Sequence, residues 1–186
     1  MKKITLIALL VSGMASGAAM ADNQTVSVGY AQSKVEGFKN VRGVNLQYRY
    51  EFNSPFSVLS SFTYMKGSES ADGYIDQDYL QVNEDVKYYS LLVGPAYRIN
   101  DYISLYAMGG LAHTKADVSV TWTNYGDGYT EKDTASASSN SFAYGAGVII
   151  NPVENLSVTV GYEGTRADLY GNRSVNGFNI GVGYRF

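Results

Sequence analysis

His113 is the one histidine of the chain, and so the one side chain with an ordinary titration range suited to general-base work near neutral pH. With Asp117 four residues on and Ser138, Ser139 or Ser141 downstream, a Ser-His-Asp acyl-transfer site can be drawn. None of these serines sits in the G-x-S-x-G form that exposes a nucleophile on a tight turn, so a lone interfacial histidine is the better reading. Asp72, Asp76 and Asp78 form D-x-x-x-D-x-D, without the glycine and closing glutamate of a calcium loop. Gly94, Gly109 and Gly110 lie inside alternating patterns with no helix to follow, which suits close packing rather than phosphate binding. Cysteine is absent, which removes thiol nucleophiles, thiolate metal sites and disulfides together. No catalytic residue, metal site or cofactor is assigned, and the chain is not read as an enzyme.

Two other sets of residues remain. Arg49, Glu51, Arg98, Glu163 and Arg185 each fall on the small-residue side of an alternating stretch. Charges in such an interior are tolerated only when paired, so these five are expected to form one structural network of salt bridges and hydrogen bonds. The second set is acidic and aromatic. Segment 67–86 holds Glu69, Asp72, Asp76, Asp78, Glu84 and Asp85 with Tyr74 and Tyr79, and no Lys or Arg; segment 115–139 holds Trp122, Tyr125 and Tyr129. Tyr and Trp dominate protein-binding hot spots, which makes Tyr74, Asp76, Asp78, Tyr79, Trp122, Tyr125 and Tyr129 the candidate binding residues. Extended strand pairing of the same segments is the plainer reading, and the two are compatible.

The elements that must hold these residues are announced by period two. Val44, Leu46, Tyr48, Tyr50 and Phe52 share one parity while Asn45, Gln47, Arg49 and Glu51 share the other. The split recurs at 89–98, 142–150, 156–163 and 178–186, with weaker copies at 24–34, 57–66 and 102–114. These amount to eight strands. Short, turn-rich connections at 53–55, 100–101 and 151–155 alternate with longer polar ones near 35–42, 67–86, 115–139 and 166–174. Lys2 and Lys3, the apolar run Ile4 to Val11 and Ala19-Met20-Ala21 read as a signal peptide, 1–21, cleaved after Ala21. The single domain is then 22–186.

Seventeen Tyr, seven Phe and twenty Gly with only 17% charged residues fit alternating strands better than membrane helices. A water-facing second parity would carry many Lys and Glu, whereas here it is mostly Gly, Ala, Ser, Thr and Asn, as a narrow lumen requires. The expected fold is therefore all-β: an eight-stranded antiparallel up-and-down transmembrane β-barrel, with short periplasmic turns and four longer extracellular loops. Its location is the bacterial outer membrane, with both termini periplasmic. Phe52, Phe56, Tyr97, Tyr184 and Phe186 form one aromatic girdle, and Tyr30, Tyr64, Tyr89, Phe142 and Phe178 the other. Removing Lys2 and Lys3 of the expected signal peptide from the 14 basic residues leaves 12 against 17 acidic ones, a net charge of −5, which argues against nucleic acid as a partner. Lys34, Lys39, Arg42, Arg166 and Arg173 in the first and fourth loops could meet anionic lipopolysaccharide or a sulfated host glycan, with solvated surface charge the default reading.

Taken together, SVGYAQSKVEGFKNVRGVNLQYRYE (27–51), VGPAYRIND (93–101), SLYAMGG (104–110), YGAGVIINPVENLSV (144–158), VGYEG (160–164) and NGFNIGVGYRF (176–186) resemble the Ail/Lom/OmpX family of enterobacterial outer-membrane proteins, nearest its PagC and Rck branch. The resemblance implies adhesion, invasion or serum resistance through loop-mediated, non-catalytic binding, with host matrix proteins or complement regulators as partners beside outer-membrane lipid and lipopolysaccharide. Other members lack a demonstrated adhesive role, and the alternative reading of this chain is a structural or stress-adaptive outer-membrane barrel with no specific protein partner. Tyr184 and Phe186 match the terminal aromatic pattern that the resemblance implies is read by outer-membrane assembly machinery.

Overall fold

The computed structural model describes residues 24–37, 40–75, 78–124, 129–168 and 171–186. The expected signal peptide, 1–21, and its cleavage point lie outside these residues. Alternating sequence can bury one parity and expose the other only as a strand, and eight strands result: β1 (Gln24–Val35), β2 (Asn40–Glu51), β3 (Phe56–Ile75), β4 (Asp78–Arg98), β5 (Ile103–Asn124), β6 (Tyr129–Val153), β7 (Leu156–Asp168) and β8 (Asn172–Arg185). Each pairs antiparallel with the next, and β8 returns to β1 to close the ring. The join is tight to its last residue: the Gln24 N–H donates to the Phe186 carbonyl and the Phe186 N–H to the Gln24 carbonyl, both at 2.9 Å. Local chemistry sets the short turns. At 99–102, the Asn100 side-chain oxygen accepts from the N–H groups of Tyr102 (2.9 Å) and Ile103 (2.8 Å), fixing the reversal between β4 and β5.

The outer surface is apolar, with Leu91, Leu111 and Phe142 each more than 60% exposed. In water so broad an apolar surface would be a liability; in a bilayer it is the required exterior. Rings mark two levels on it. Phe56 packs against Tyr97 (5.2 Å between centroids) at the short-turn end, while Tyr30 meets Phe178 (6.5 Å) and Tyr64 meets Tyr89 (5.0 Å) at the other.

Inside, Ser27, Asn45, Gln47, Ser61 and Thr159 are buried as the small polar parity requires. The interior also holds larger residues than that parity suggested, among them Leu59, Tyr88, Leu92, Tyr106 and Ile149. Glycine makes the room. Gly147 and Gly161 face each other across β6 and β7, and the Tyr106 hydroxyl occupies the space their missing Cβ atoms leave. Toward the end opposite the short turns, Val35, Val41, Val86, Ala167 and Val175 are all buried and form an apolar layer across the lumen.

The main correction concerns 67–86 and 115–139, expected as loops. Strands β3 to β6 are 20, 21, 22 and 25 residues long against 12 to 14 for the other four. A barrel strand needs only roughly 9 to 11 residues to cross a bilayer. Pairing of β2 with β3 ends at Arg42↔Lys66 and that of β6 with β7 at Ala143↔Thr165, but β3–β4 continues to Ile75↔Asp78 and β5–β6 to Asn124↔Tyr129. A four-stranded sheet therefore stands clear of the barrel by roughly 30 Å, taking about 3.3 Å for each residue from 67 to 75. In β5 the extension is written in the sequence as Val118, Val120 and Trp122 alternating with Ser119, Thr121 and Thr123, whereas 130–139 of β6 shows no such contrast.

The folded protein is expected to migrate faster before heating than after in detergent gels. Gly161→Val should lower the urea midpoint by an amount corresponding to about 1–3 kcal/mol, because the new side chain meets the Tyr106 hydroxyl. Adding Tyr106→Ala should recover part of that loss; no recovery would contradict the packing described.

Candidate interaction surface

The charged residues of the lumen come together at the short-turn end, where β2, β4 and β8 finish. Glu51 is their centre, only 2% exposed: one carboxylate oxygen faces Arg49 Nη1 at 2.9 Å, and the other accepts from Arg98 Nη2 (3.2 Å), Arg185 Nε (3.0 Å) and Arg185 Nη2. Arg49 also donates through Nε to Ser57 (2.9 Å) and through Nη2 to Ser104 (3.0 Å). Three guanidinium groups share one buried carboxylate, so the buried Arg49 depends on Glu51 for its counter-charge.

Glu163, expected in the same network, stands apart from it. On β8 its neighbour is Gly177, eight residues before Arg185, a separation of roughly 26 Å along the strand. Its carboxylate instead accepts from the Tyr88 hydroxyl (2.6 Å) and from Thr63 Oγ1 (3.0 Å), and Thr63 in turn accepts from Asn45 (2.9 Å). The sequence holds one sign of this partner: Tyr88 and Tyr89 are adjacent, so alternation turns one of them inward. Parity placed all five charges inside, but it carries no information about height along the barrel.

The drawn catalytic arrangement does not assemble. His113 faces outward beside Tyr89 and has Nδ1 2.7 Å from the Asn140 side-chain oxygen, while Asp117 pairs with Lys115 at 3.0 Å. Ser139 instead bonds Ser141 (3.2 Å) and the Asp168 N–H (2.9 Å). Of the acidic group near 72–78, the Asp76 residue and the Asp78 side chain lie outside what is described.

At the level where the sheet leaves the barrel, register produces a feature the sequence concealed. Arg42, Lys66, Lys87 and Lys115 are successive cross-strand neighbours on the outward face of β2 to β5, immediately beyond Tyr64, Tyr89 and His113. Lys66 lies 4.0 Å from Asp85 and Lys115 pairs with Asp117, but Arg42 and Lys87 have no carboxylate partner among the described residues. Like charges directly opposite one another repel, so this row is suited to surroundings rich in anions. Of the loop cations named from sequence, Arg42 joins the row. Lys34 stands across from Asn40 and Asn176, Arg166 is exposed opposite Ser174, Arg173 donates to the Glu36 carbonyl (3.0 Å), and Lys39 lies outside the described residues.

The candidate binding residues are divided by the strand pleat. Tyr79 is opposite Thr123 on the outward face, whereas Trp122 and Tyr129, 51% and 63% exposed, lie on the face that continues the lumen. Tyr74 pairs with Tyr79 through its backbone, and its side chain, like that of Asp78, is outside what is described; so are Asp76 and Tyr125.

A family model for the enterobacterial Ail/Lom protein matches residues 3–186. The virulence membrane protein PagC of Salmonella typhimurium is 46% identical over 190 residues, spanning 100% of both chains. Outer membrane protein X of Enterobacter cloacae is 38% identical over 190 residues, again 100% of both. The crystal structure of Ail, the attachment invasion locus protein of Yersinia pestis, superposes with a TM-score of 0.69 at 36% identity, covering 90% of this chain and 100% of that one. The structure of Ail with the heparin analogue sucrose octasulfate gives 0.68 at 37% identity over the same shares. These names are those of virulence, attachment and outer-membrane proteins.

Glu51→Ala should destabilise the barrel by about 3–5 kcal/mol, since it leaves Arg49 buried and unpaired. Glu163→Ala removes a buried charge together with its two hydrogen bonds and should cost less, on the order of 1–3 kcal/mol. Urea midpoints in detergent micelles decide the order, and equal losses would refute the separation of the two sites.

Proposed function

The chain belongs to the enterobacterial Ail/Lom family of outer-membrane β-barrel proteins, and from that premise we propose that it mediates host interaction by non-catalytic binding through the sheet that projects beyond the membrane. The observation that carries this reading is the length of β3 to β6: about half of each lies outside the barrel, where bilayer burial does not account for it. Adhesion, invasion and resistance to serum complement are the activities in view, with matrix proteins and complement regulators as partners. In this reading the short turns and both termini are periplasmic, the sheet is extracellular, and residues 1–21 are a signal peptide removed after Ala21.

Anionic partners fit one particular part of the surface. The row Arg42, Lys66, Lys87 and Lys115 stands just beyond the aromatic level, at the height of lipid headgroups, where phosphates of lipopolysaccharide would separate its like charges. A sulfated glycan offers the same chemistry from outside, and the heparin analogue bound to Ail supports that class of ligand. Tyr184 and Phe186, stacked at 6.2 Å at the closing strand, are proposed as the assembly signal.

Cells displaying the protein should gain attachment to laminin or fibronectin, or survival in serum, relative to cells lacking it. Replacing 67–86 and 115–139, each with a short turn, should abolish that gain while leaving heat-modifiable migration intact. Unchanged adhesion and serum survival in every strain would favour a structural barrel without a protein partner. Lys66→Ala with Lys87→Ala should weaken retention on a heparin column and shift elution to lower salt; equal elution would remove the basic row from the binding surface.

A further inference from the structure

The two faces of the projecting sheet differ in a way that the residue list alone conceals. On the face continuing the lumen, Leu80 stands opposite Trp122 and Val82 opposite Val120, with Val118 next along β5. The other face at the same height carries Gln81, Asn83, Ser119 and Thr121. One side is thus apolar and the other is hydroxyl- and amide-rich, although neither is covered by another element of the described chain.

Charge is segregated in the same sense. Glu69 lies directly across from Glu84 at the base of the apolar patch, and Glu131 and Asp133 lie across from Trp122 and Val120 at its β6 side. No Lys or Arg occupies this face among residues 67–73, 80–86, 116–122 and 129–137, because Lys87, Lys115 and Lys132 all point to the opposite side. With Glu131 and Asp133 on β6, Glu84 gives this face a concentration of negative charge suited to a cationic partner. Below Glu69 and Glu84 lies the buried layer of Val35, Val41, Val86 and Val175.

We propose that this face binds a cationic amphipathic polypeptide segment, its apolar side chains laid on Val82, Val120 and Trp122 and its Lys or Arg side chains directed to the flanking carboxylates. The assignment rests on the host-interaction reading above and gives it a surface and a partner chemistry. It uses neither the basic row nor the outward face. An anionic glycan is excluded from this face by its charge, and a purely apolar ligand would leave four carboxylates beside buried surface.

The test uses the full-length protein in phosphocholine nanodiscs and a fluorescent Leu/Lys amphipathic peptide, read by anisotropy against empty nanodiscs. The peptide should bind protein-containing discs in preference to empty ones, less tightly as salt rises, and its counterpart with Glu in place of Lys should not bind. V82S with V120S, and separately E84Q with E131Q, should each weaken binding about tenfold, while Q81A with T121A on the other face should leave it unchanged. Heat-modifiable migration confirms that each variant is folded. Equal binding of the Glu counterpart, equal affinity of both face variants and the parent, or equal losses from the Q81A/T121A control would each overturn the proposal. The same variants displayed on cells separate the two claims. Peptide binding that follows this face without any effect of the protein on adhesion or serum survival would sink the host-interaction reading alone. Adhesion by the parent with peptide affinity indifferent to the face would sink this proposal alone.

Discussion

Within a bilayer no water is available to pair an exposed N–H or carbonyl, and this requirement governs the rest of the molecule. A sheet meets it only by closing, which β1 and β8 do from Thr25↔Arg185 to Val35↔Val175. Closure with eight strands leaves a lumen that side chains must fill, so the interior parity is small where strands approach and admits Tyr106 only over paired glycines. Charges enter such a lumen at the cost of desolvation, and here they enter as a cluster around Glu51 or as a single carboxylate held by hydroxyl groups. Where the membrane ends the requirement lapses. It is there that β3 and β6 become sheet edges.

The features legible in the sequence are those that depend on which way a residue points. Period two marked all eight strands, separated lipid from lumen and put Arg49, Glu51, Arg98, Glu163 and Arg185 on the inner parity, which the burial of Glu51 and Arg49 reflects. Features that depend on how far along its strand a residue sits were not legible, because register is set by turn geometry and barrel stagger rather than by composition. Parity alone therefore groups Glu163 with charges about eight strand positions away. Lys66, Lys87 and Lys115, distant in the chain, gave no hint that they adjoin. Segments 67–86 and 115–139 look like loops by their many polar and acidic residues, although Leu80 and Val82, and Val118, Val120 and Trp122, keep a period of two.

Two kinds of surface follow, and they are held by different forces. The barrel is fixed by lipid outside and by close packing and the Glu51 and Glu163 contacts inside, so its chemistry is constrained at most positions. The projecting sheet inherits its alignment from the barrel through uninterrupted β3–β4 and β5–β6 ladders, yet its side chains are free of both lipid and lumen. Such a sheet can change its faces without disturbing its foundation, which is how a rigid scaffold commonly carries binding residues.

That foundation also decides how the sheet bears load. Its four strands run from the tip down into the barrel wall without a break in pairing between β3 and β4 or between β5 and β6. Tension applied at the tip is directed largely along the strands, so it acts as shear on the ladders that join each hairpin to its neighbours, β2–β3, β4–β5 and β6–β7, and is shared among many bonds at once. A flexible loop would first extend and then peel open bond by bond. Under the drag of flowing fluid, a grip made through this sheet would behave as a stiff mooring rather than an elastic tether.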